Sequence, residues 1–376
     1  MSEPVRVTMN PARGRRIAAV EHFFCRQRQE DPEWKFSRGG IPAVDGIVVR
    51  ILSDDGRQGH GYALALPLLS DTLAGLAEAV DAMASHVIGR DPLDLGPILA
   101  DLERAFDGHR HARSAIDFAL HELAAVLLGV PLHTLLGGAF VRRLPMSRIV
   151  PLKSPEAMAG DAAVLAAKGY RGLKVKLDGN AAADIARVAA VRARVGERIR
   201  LSVDANQAYS AKGAIMTMRQ LAPHGVDLVE QPVRADDREG LKLVRESLDM
   251  LVEADEAVRS PRDVMELAAL GAIDSVNMKV PEFGGLRATL QAARICETAG
   301  IACRIGATFG PRLIAAQSLN LAACFRTHAY PHEIAEFDHL LDDPYSGLEV
   351  EAGDLVVSDR AGSGVEFDAT RLAAAE

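Results

Sequence analysis

The sequence predicts an α/β fold: a barrel of eight parallel strands with seven connecting segments, preceded by a smaller α+β domain. Three observations carry that prediction. Strand-like and helix-like stretches alternate from Leu144 onward, with strands near 145–151, 170–177, 199–205, 226–231, 249–255, 273–279, 302–308 and 332–338. Five successive runs end in a charged residue, Lys176, Asp204, Glu230, Asp255 and Lys279, at spacings of 28, 26, 25 and 24 residues. A strand, a helix and two short loops take roughly 25 to 30 residues, so this is the period of repeated β/α units. Finally, a chain of 376 residues is longer than a barrel needs, since a barrel takes about 250.

Ahead of the barrel, Arg16 to Val20 and Gly46 to Asp54 read as antiparallel strands. Asp54-Asp55-Gly56 is the hairpin turn into Gly59-His60-Gly61-Tyr62-Ala63. A polar loop, roughly Arg26 to Val44, contains Trp34 and Lys35. It holds the chain's single Trp, a residue seldom left idle in solvent, so the loop is expected to cover the barrel mouth. Helical patterns follow over Ser70–Ile88, Asp94–Ala105 and His111–Leu128, the last with Ala112, Ala115, Ile116, Ala119 and Leu123 on one stripe. Gly129, Pro131 and the turn Leu135-Leu136-Gly137-Gly138 then break the pattern and mark a domain boundary. Within the barrel, helices are expected at Pro155–Lys168, Ala181–Val195, Ala211–Ala222, Pro261–Leu270, Leu286–Ala299 and Pro311–Cys324. The tail from His339 is expected to return to the N-terminal domain.

Composition narrows the function classes. Hydrophobic residues make up 48% and charged residues 25%, ordinary for a soluble globular enzyme. A net charge of −8, with no basic run, argues against nucleic acid. No apolar stretch reaches the 18 or so residues of a membrane span. Cys25, Cys296, Cys303 and Cys324 form no Cys-x-x-Cys pair, and no signal-peptide pattern follows Met1, so reduced thiols in the cytoplasm are expected.

Three carboxylates on three adjacent strands, Asp204, Glu230 and Asp255, can converge on one hard cation. Oxygen-only donors suit Mg²⁺ and disfavour zinc. A single acid at a strand end usually caps a helix or pairs with a lysine. Three in succession, flanked by strands that end in lysine, point to a site. Lys174 and Lys176 are two apart and so face the same way. In an eight-stranded barrel the second and sixth strands are opposed, which sets Lys176 and Lys279 on two faces of a metal-bound substrate. That arrangement suits removal of a proton α to a carboxylate, because a divalent cation stabilises the enediolate that results. Lys176 can act as base if its pKa is brought down, and Lys174 beside it is expected to help.

At these residues the sequence resembles the enolase superfamily, in its mandelate racemase and muconate lactonizing enzyme branch. The matching stretches are Lys174-Val175-Lys176, Asp204-Ala205-Asn206, Glu230-Gln231-Pro232, Asp255-Glu256, and Asn277-Met278-Lys279 followed by Gly284-Gly285. Ala112 to Ala119, leading to Leu135-Leu136-Gly137-Gly138, matches as well. The resemblance implies a modified TIM barrel, (β/α)7β, with an α+β capping domain. Residues 1–138 would form the cap, 139–338 the barrel, and 339–376 the segment returning to the cap. It also implies Mg²⁺ on Asp204, Glu230 and Asp255, and two loops closing the site near Gln27–Val44 and Ala63–Ser70. Lysines on both faces are similar to the lactonizing-enzyme subgroup, which contains cycloisomerases, racemases, epimerases and some dehydratases.

The expected activity is racemisation or epimerisation of an amino-acid derivative, with β-elimination or cycloisomerisation as alternatives on the same intermediate. Asn206, Thr308, Trp34 and Asp338 are candidate substrate contacts. Asp338 enters because Glu336-Phe337-Asp338 looks like an acidic pair able to bind an ammonium. Strand seven ends Ala307-Thr308-Phe309-Gly310, where many subgroup members carry Glu-Ser, so no carboxylate role is carried over there. The expected partner is a small carboxylate substrate, and the chain is expected to form a homo-oligomer.

Overall fold

Seven parallel strands stand side by side in chain order: Ser147–Val150, Gly172–Lys176, Arg200–Asp204, Val226–Glu230, Leu251–Ala254, Ser275–Met278 and Ala302–Ile305. The computed structural model describes residues 15–36, 39–65, 72–328 and 330–372. Nearly every strand residue is buried, as a parallel sheet covered on both faces requires. The helices Pro155–Ala167, Ala181–Val195, Ala211–Leu221, Arg238–Ser247 and Pro261–Leu270 cover the outside. Each starts at a side chain that accepts from the first turn's spare N–H groups: Ser154, Asn180, Ser210, Asp237 and Ser260. Leu286–Ala299 and Arg312–Ala323 complete the ring.

The eighth strand expected over 332–338 is absent as a ladder. His332 makes a single bridge to Met146, and Ile334–His339 wind into a 3-10 helix. Ser147 N donates to His332 O at 2.7 Å and Glu333 N to Ile305 O at 3.0 Å, so a few bonds seal the barrel. Pro331 has no N–H to offer a ladder. Glu333 and Glu336 turn to the buried guanidinium groups of Arg304 and Arg148. Satisfying those charges, rather than strand pairing, sets the backbone here.

In the cap, the strand expected at Arg16–Val20 runs much further, as Ile17–Arg28, and pairs antiparallel with Ala43–Ser53, which pairs with Gln58–Ala65. Only its last three residues, Arg26-Gln27-Arg28, are polar throughout, and ion pairs cross to the facing strand along its length, Arg50 with Glu21 and Arg26 with Asp45. The loop holding Trp34 is therefore shorter than expected and carries a small hairpin, Lys35–Phe36 with Gly39–Gly40. Beyond Ala65 the second expected loop, Ala63–Ser70, lies outside the described residues.

Alternation along the cap sheet gives it two apolar faces. Ile47, Val49 and Ile51 pack on the helices Leu73–Val87 and Arg110–Leu128 through Met83, Ile116 and Leu120. Val48 and Leu64, on the other face, join Trp34 and the barrel core. A Cβ on Gly59 or Gly61 would stand 2.2 or 2.0 Å from the carbonyl oxygens of Ala119 and Ala115, so glycine alone lets that helix lie so close.

The C-terminal segment runs back over the cap. Leu341 N donates to Arg28 O at 2.9 Å, Ser363 N and Oγ both donate to Glu122, and Tyr345 Oη lies 3.2 Å from His60 Nδ1. The four cysteines are free and buried. Among the described residues no helix is long and apolar enough to cross a membrane.

Candidate active site at the barrel mouth

Register brings the charged strand ends together. Lys176 lies beside Asp204, and Asp204 beside Glu230, on neighbouring strands. Asp255 and Lys279 each follow directly on their strands. A pocket opens at this C-terminal edge, where barrels place their chemistry. Its polar lining includes Lys174, Lys176, Asn206, Asp255, Glu256 and Lys279. Trp34, Ile41 and Leu64 of the cap and Ile149, Ala307, Thr308 and Phe309 of the barrel give it an apolar wall.

Trp34 is 4% exposed, and its ring meets Phe309 edge-on with centroids 4.9 Å apart. The Trp34 loop is stitched to the exit of the first barrel strand by Leu152 N to Lys35 O at 3.0 Å and by Lys153 to Asp31 at 2.7 Å. Cap and barrel thus share one site. Asp338 does not line it. Its carboxylate accepts from Arg148, Tyr170 and Lys168 instead, because the 3-10 turn carries it away from the mouth.

Lys176 Nζ donates to Asp204 Oδ2 at 2.5 Å and to Asn206 Oδ1 at 3.1 Å, and Lys279 Nζ donates to Asp255 Oδ2. Asn206 N returns a bond to Asp204 Oδ1 at 2.8 Å. Asn206 sits at φ +42°, a left-handed conformation tolerated where loop geometry serves a site. Burial pushes the Asp255 carboxyl well up, with Glu256 and Glu230 adding to it against the pull of Lys279. Burial works against the Lys279 ammonium, but Asp255 and Glu256 more than offset it and hold its pKa above the usual value.

Beneath this level lies a charged layer the sequence reading did not assemble. Lys174 Nζ is 3.0 Å from Glu230, 2.6 Å from Glu333 and 3.7 Å from Asp204. Arg304, fully buried, bonds Glu230 at 3.0 Å, Glu253 at 2.6 Å and Glu333 at 2.7 Å. Asn277 Nδ2 adds a bond to Glu230 Oε1 at 2.8 Å. Burial alone would raise the Glu333 carboxyl, yet Arg304 and Lys174 hold it down at about 2, and Lys174 with Arg304 does the same for Glu230. A charged residue inside the apolar run Cys303-Arg304-Ile305 was the available signal. His111 and Glu282, 3.3 Å apart across the cap–barrel boundary, also line the pocket.

Comparison with known proteins decides the family. Residues 21–137 match the N-terminal domain of mandelate racemase and muconate lactonizing enzyme, and residues 157–371 match the family described as enolase C-terminal domain-like. The chain belongs to the mandelate racemase and muconate lactonizing enzyme family. It is 31% identical to an L-Ala-D/L-Glu epimerase of Clostridium acetobutylicum, over 87% of this chain and 92% of that one. A hydrophobic dipeptide epimerase of Enterococcus faecalis is 35% identical over 71% of this chain and 76% of its own length. A solved dipeptide epimerase from Enterococcus faecalis, complexed with Mg and L-Leu-L-Tyr, superposes with a TM-score of 0.89 at 30% identity, covering 94% of this chain and 100% of that one.

Membership in this enolase-superfamily family implies a divalent cation, and the donor set can be tested against it. Asp204, Glu230 and Asp255 are buried and offer oxygen only, from neighbouring strand ends, which suits Mg²⁺. Among the described residues no three acids, His or Cys stand as a ready metal cage. Each of the three acids turns an oxygen to a lysine instead. The donor chemistry fits the ion.

Proposed function

We propose that this family member is a Mg²⁺-dependent racemase or epimerase of an amino-acid derivative, with Lys176 and Lys279 as its acid–base pair. One observation carries the reading: two lysines, on the second and sixth strands, border one pocket with three acid-bearing strands between them. Asp204, Glu230 and Asp255 would hold the ion, and the bound ion would stabilise negative charge developing on the substrate carboxylate. One lysine, neutral, takes the α-proton onto its Nζ. The other, protonated, delivers a proton to the same carbon from the opposite face. Lys174, tied to Glu230 and Glu333, stays an ammonium and adds positive charge beneath the site. Its pKa is held well above the usual value, for although burial opposes the charge, Glu230 and Glu333 outweigh it. Two carboxylates within hydrogen-bond reach, with Asp204 a third at 3.7 Å, set Lys174 apart from the two exchangeable amines. Trp34 and Phe309 exclude water from the pocket, which strengthens each charge interaction inside it. Asn206 orients Lys176, and Thr308 completes the substrate wall.

The test is proton NMR of the wild type with Mg²⁺ in D₂O, across a panel of dipeptides and N-acyl amino acids. Expected is loss of the α-proton signal together with inversion at that carbon, and loss of both on adding EDTA. Turnover without α-deuteration, or full activity in EDTA, would overturn the reading. Formation of a dehydrated product would assign the same first step to an elimination.

A further inference from the structure

The pocket does not end at the lysines. Arg259, on the loop after Asp255, lines both this pocket and a second cleft of about 260 Å³ between cap and barrel. Arg110 and Arg113 from the cap helix and Arg287 from the helix Leu286–Ala299 also line that cleft. Its acids are Glu103, Asp107 and Asp117. Asp117 is committed elsewhere, accepting from Leu286 N at 2.8 Å and lying 3.2 Å from His121. Four arginines thus meet three acids, and Arg259 is the cation left over. Arg113 Nε is buried with no hydrogen-bond partner, and its guanidinium lies against Gly284, where a Cβ would stand 3.3 Å away. A buried donor of that kind calls for an acceptor.

Within the pocket the other cations are matched. Lys174 pairs with Glu230 and Glu333, Lys176 with Asp204, Lys279 with Asp255, and His111 with Glu282. Arg259, an exposed side chain, is the one pocket cation among the described residues with no carboxylate in ion-pair reach. We infer that Arg259 receives a second anionic group, carried on the substrate arm that points away from the reacting carbon. The inference rests on the proposed reading and names its substrate class: amino-acid derivatives with one carboxylate at the reacting carbon and another on the distal arm. The planar guanidinium fork suits that partner, because it can bond a carboxylate through two parallel N–H groups.

The probe is a matched pair, N-succinyl-L-leucine and N-butyryl-L-leucine, which differ only by the distal carboxylate. For α-deuterium exchange, kcat/KM should favour the succinyl compound about tenfold or more, the scale of one hydrogen bond to a charged group. The gain should lie in KM. Arg259→Met should bring the ratio toward one, and Arg259→Lys should restore part of it. Quenching of Trp34 fluorescence by each compound gives the same comparison without turnover. A wild-type ratio near or below one, or a ratio unchanged in Arg259→Met, overturns the inference while leaving the acid–base reading standing. Absence of exchange from both compounds and from the whole substrate panel overturns the reading and this inference together.

Discussion

Two levels of charge fill the upper half of the barrel, and they use the same residue types differently. At the floor, Lys174 and Arg304 each face several carboxylates and are sealed from solvent. At the mouth, Lys279 pairs with Asp255 and keeps 29% of its side chain exposed to the pocket. A lysine surrounded by acids is locked as an ammonium. A lysine with one ion-paired carboxylate at a cavity edge is open to a bound molecule. The number of partners and the access to solvent, not the residue type, separate the two levels.

Breaking the mouth should give the largest effect. Lys176→Ala and Lys279→Ala should each lower net epimerisation by about 10²- to 10⁴-fold, the usual contribution of a positioned acid or base. Each variant should still exchange the α-proton of the one enantiomer served by the remaining lysine. Separate NMR of both enantiomers in D₂O measures this, and equal residual exchange from both would defeat the two-face arrangement. Folding stability should fall by no more than about 2 kcal/mol in Lys279→Ala, because water or a proton in the pocket can replace the ammonium on Asp255.

Breaking the floor should do the reverse. Arg304→Leu leaves Glu253, Glu333 and Glu230 buried without their common cation, which should cost about 3–5 kcal/mol of stability. Urea unfolding at neutral pH measures it. A stability loss no larger than that of Lys279→Ala would erase the distinction between the two levels.

A third comparison sets both against a titrating group far from either. His60, buried in the cap against Tyr345 and Phe367, has its pKa lowered to about 4 by burial and by Arg50. The unfolded chain therefore takes up this proton first as pH falls. Stability from this group is complete above its unfolded pKa, near pH 6.5, and is lost down to about pH 4, a change of about 3 kcal/mol. His60→Asn should remove that share of the acid destabilisation between pH 7 and pH 4, with little change at neutral pH. Parallel acid dependence in wild type and variant would show that His60 takes up its proton as readily in the fold as in the unfolded chain.

Much of the mouth was legible in the chain because each strand announces its end locally: an apolar run stops at a charge, and the period does the rest. The floor was not, although Arg304 interrupts an apolar strand as plainly. Its partners Glu253 and Glu333 lie 51 and 29 residues away, and no local pattern says which acids a buried arginine will meet. Asp338 and the eighth strand share one cause. The alternation of strand-like and helix-like stretches suggests a strand over 332–338, but the demand of Arg148 and Arg304 for carboxylates twists the segment into a 3-10 turn. In the first cap strand the hidden information was in cross-strand pairing: its polar end, Arg26-Gln27-Arg28, reads as loop, and only the facing strand reveals why it stays extended.

The seal made by residues 331–333 has a consequence for the order in which the molecule is born. On the ribosome the cap strands and the Trp34 loop emerge well before Phe309, Glu333 and the segment that binds Glu122 and Arg28. Arg304 and Lys174 share Glu333, so the ionic floor stays incomplete until nearly the whole barrel has been synthesised. Contacts of such long sequence separation form late, since loop-closure entropy is spent before they reward it. The nascent chain thus carries Lys174, Lys176, Asp204, Glu230, Asp255 and Lys279 well before Glu333 is made, and the pocket above the ionic floor is finished only after it.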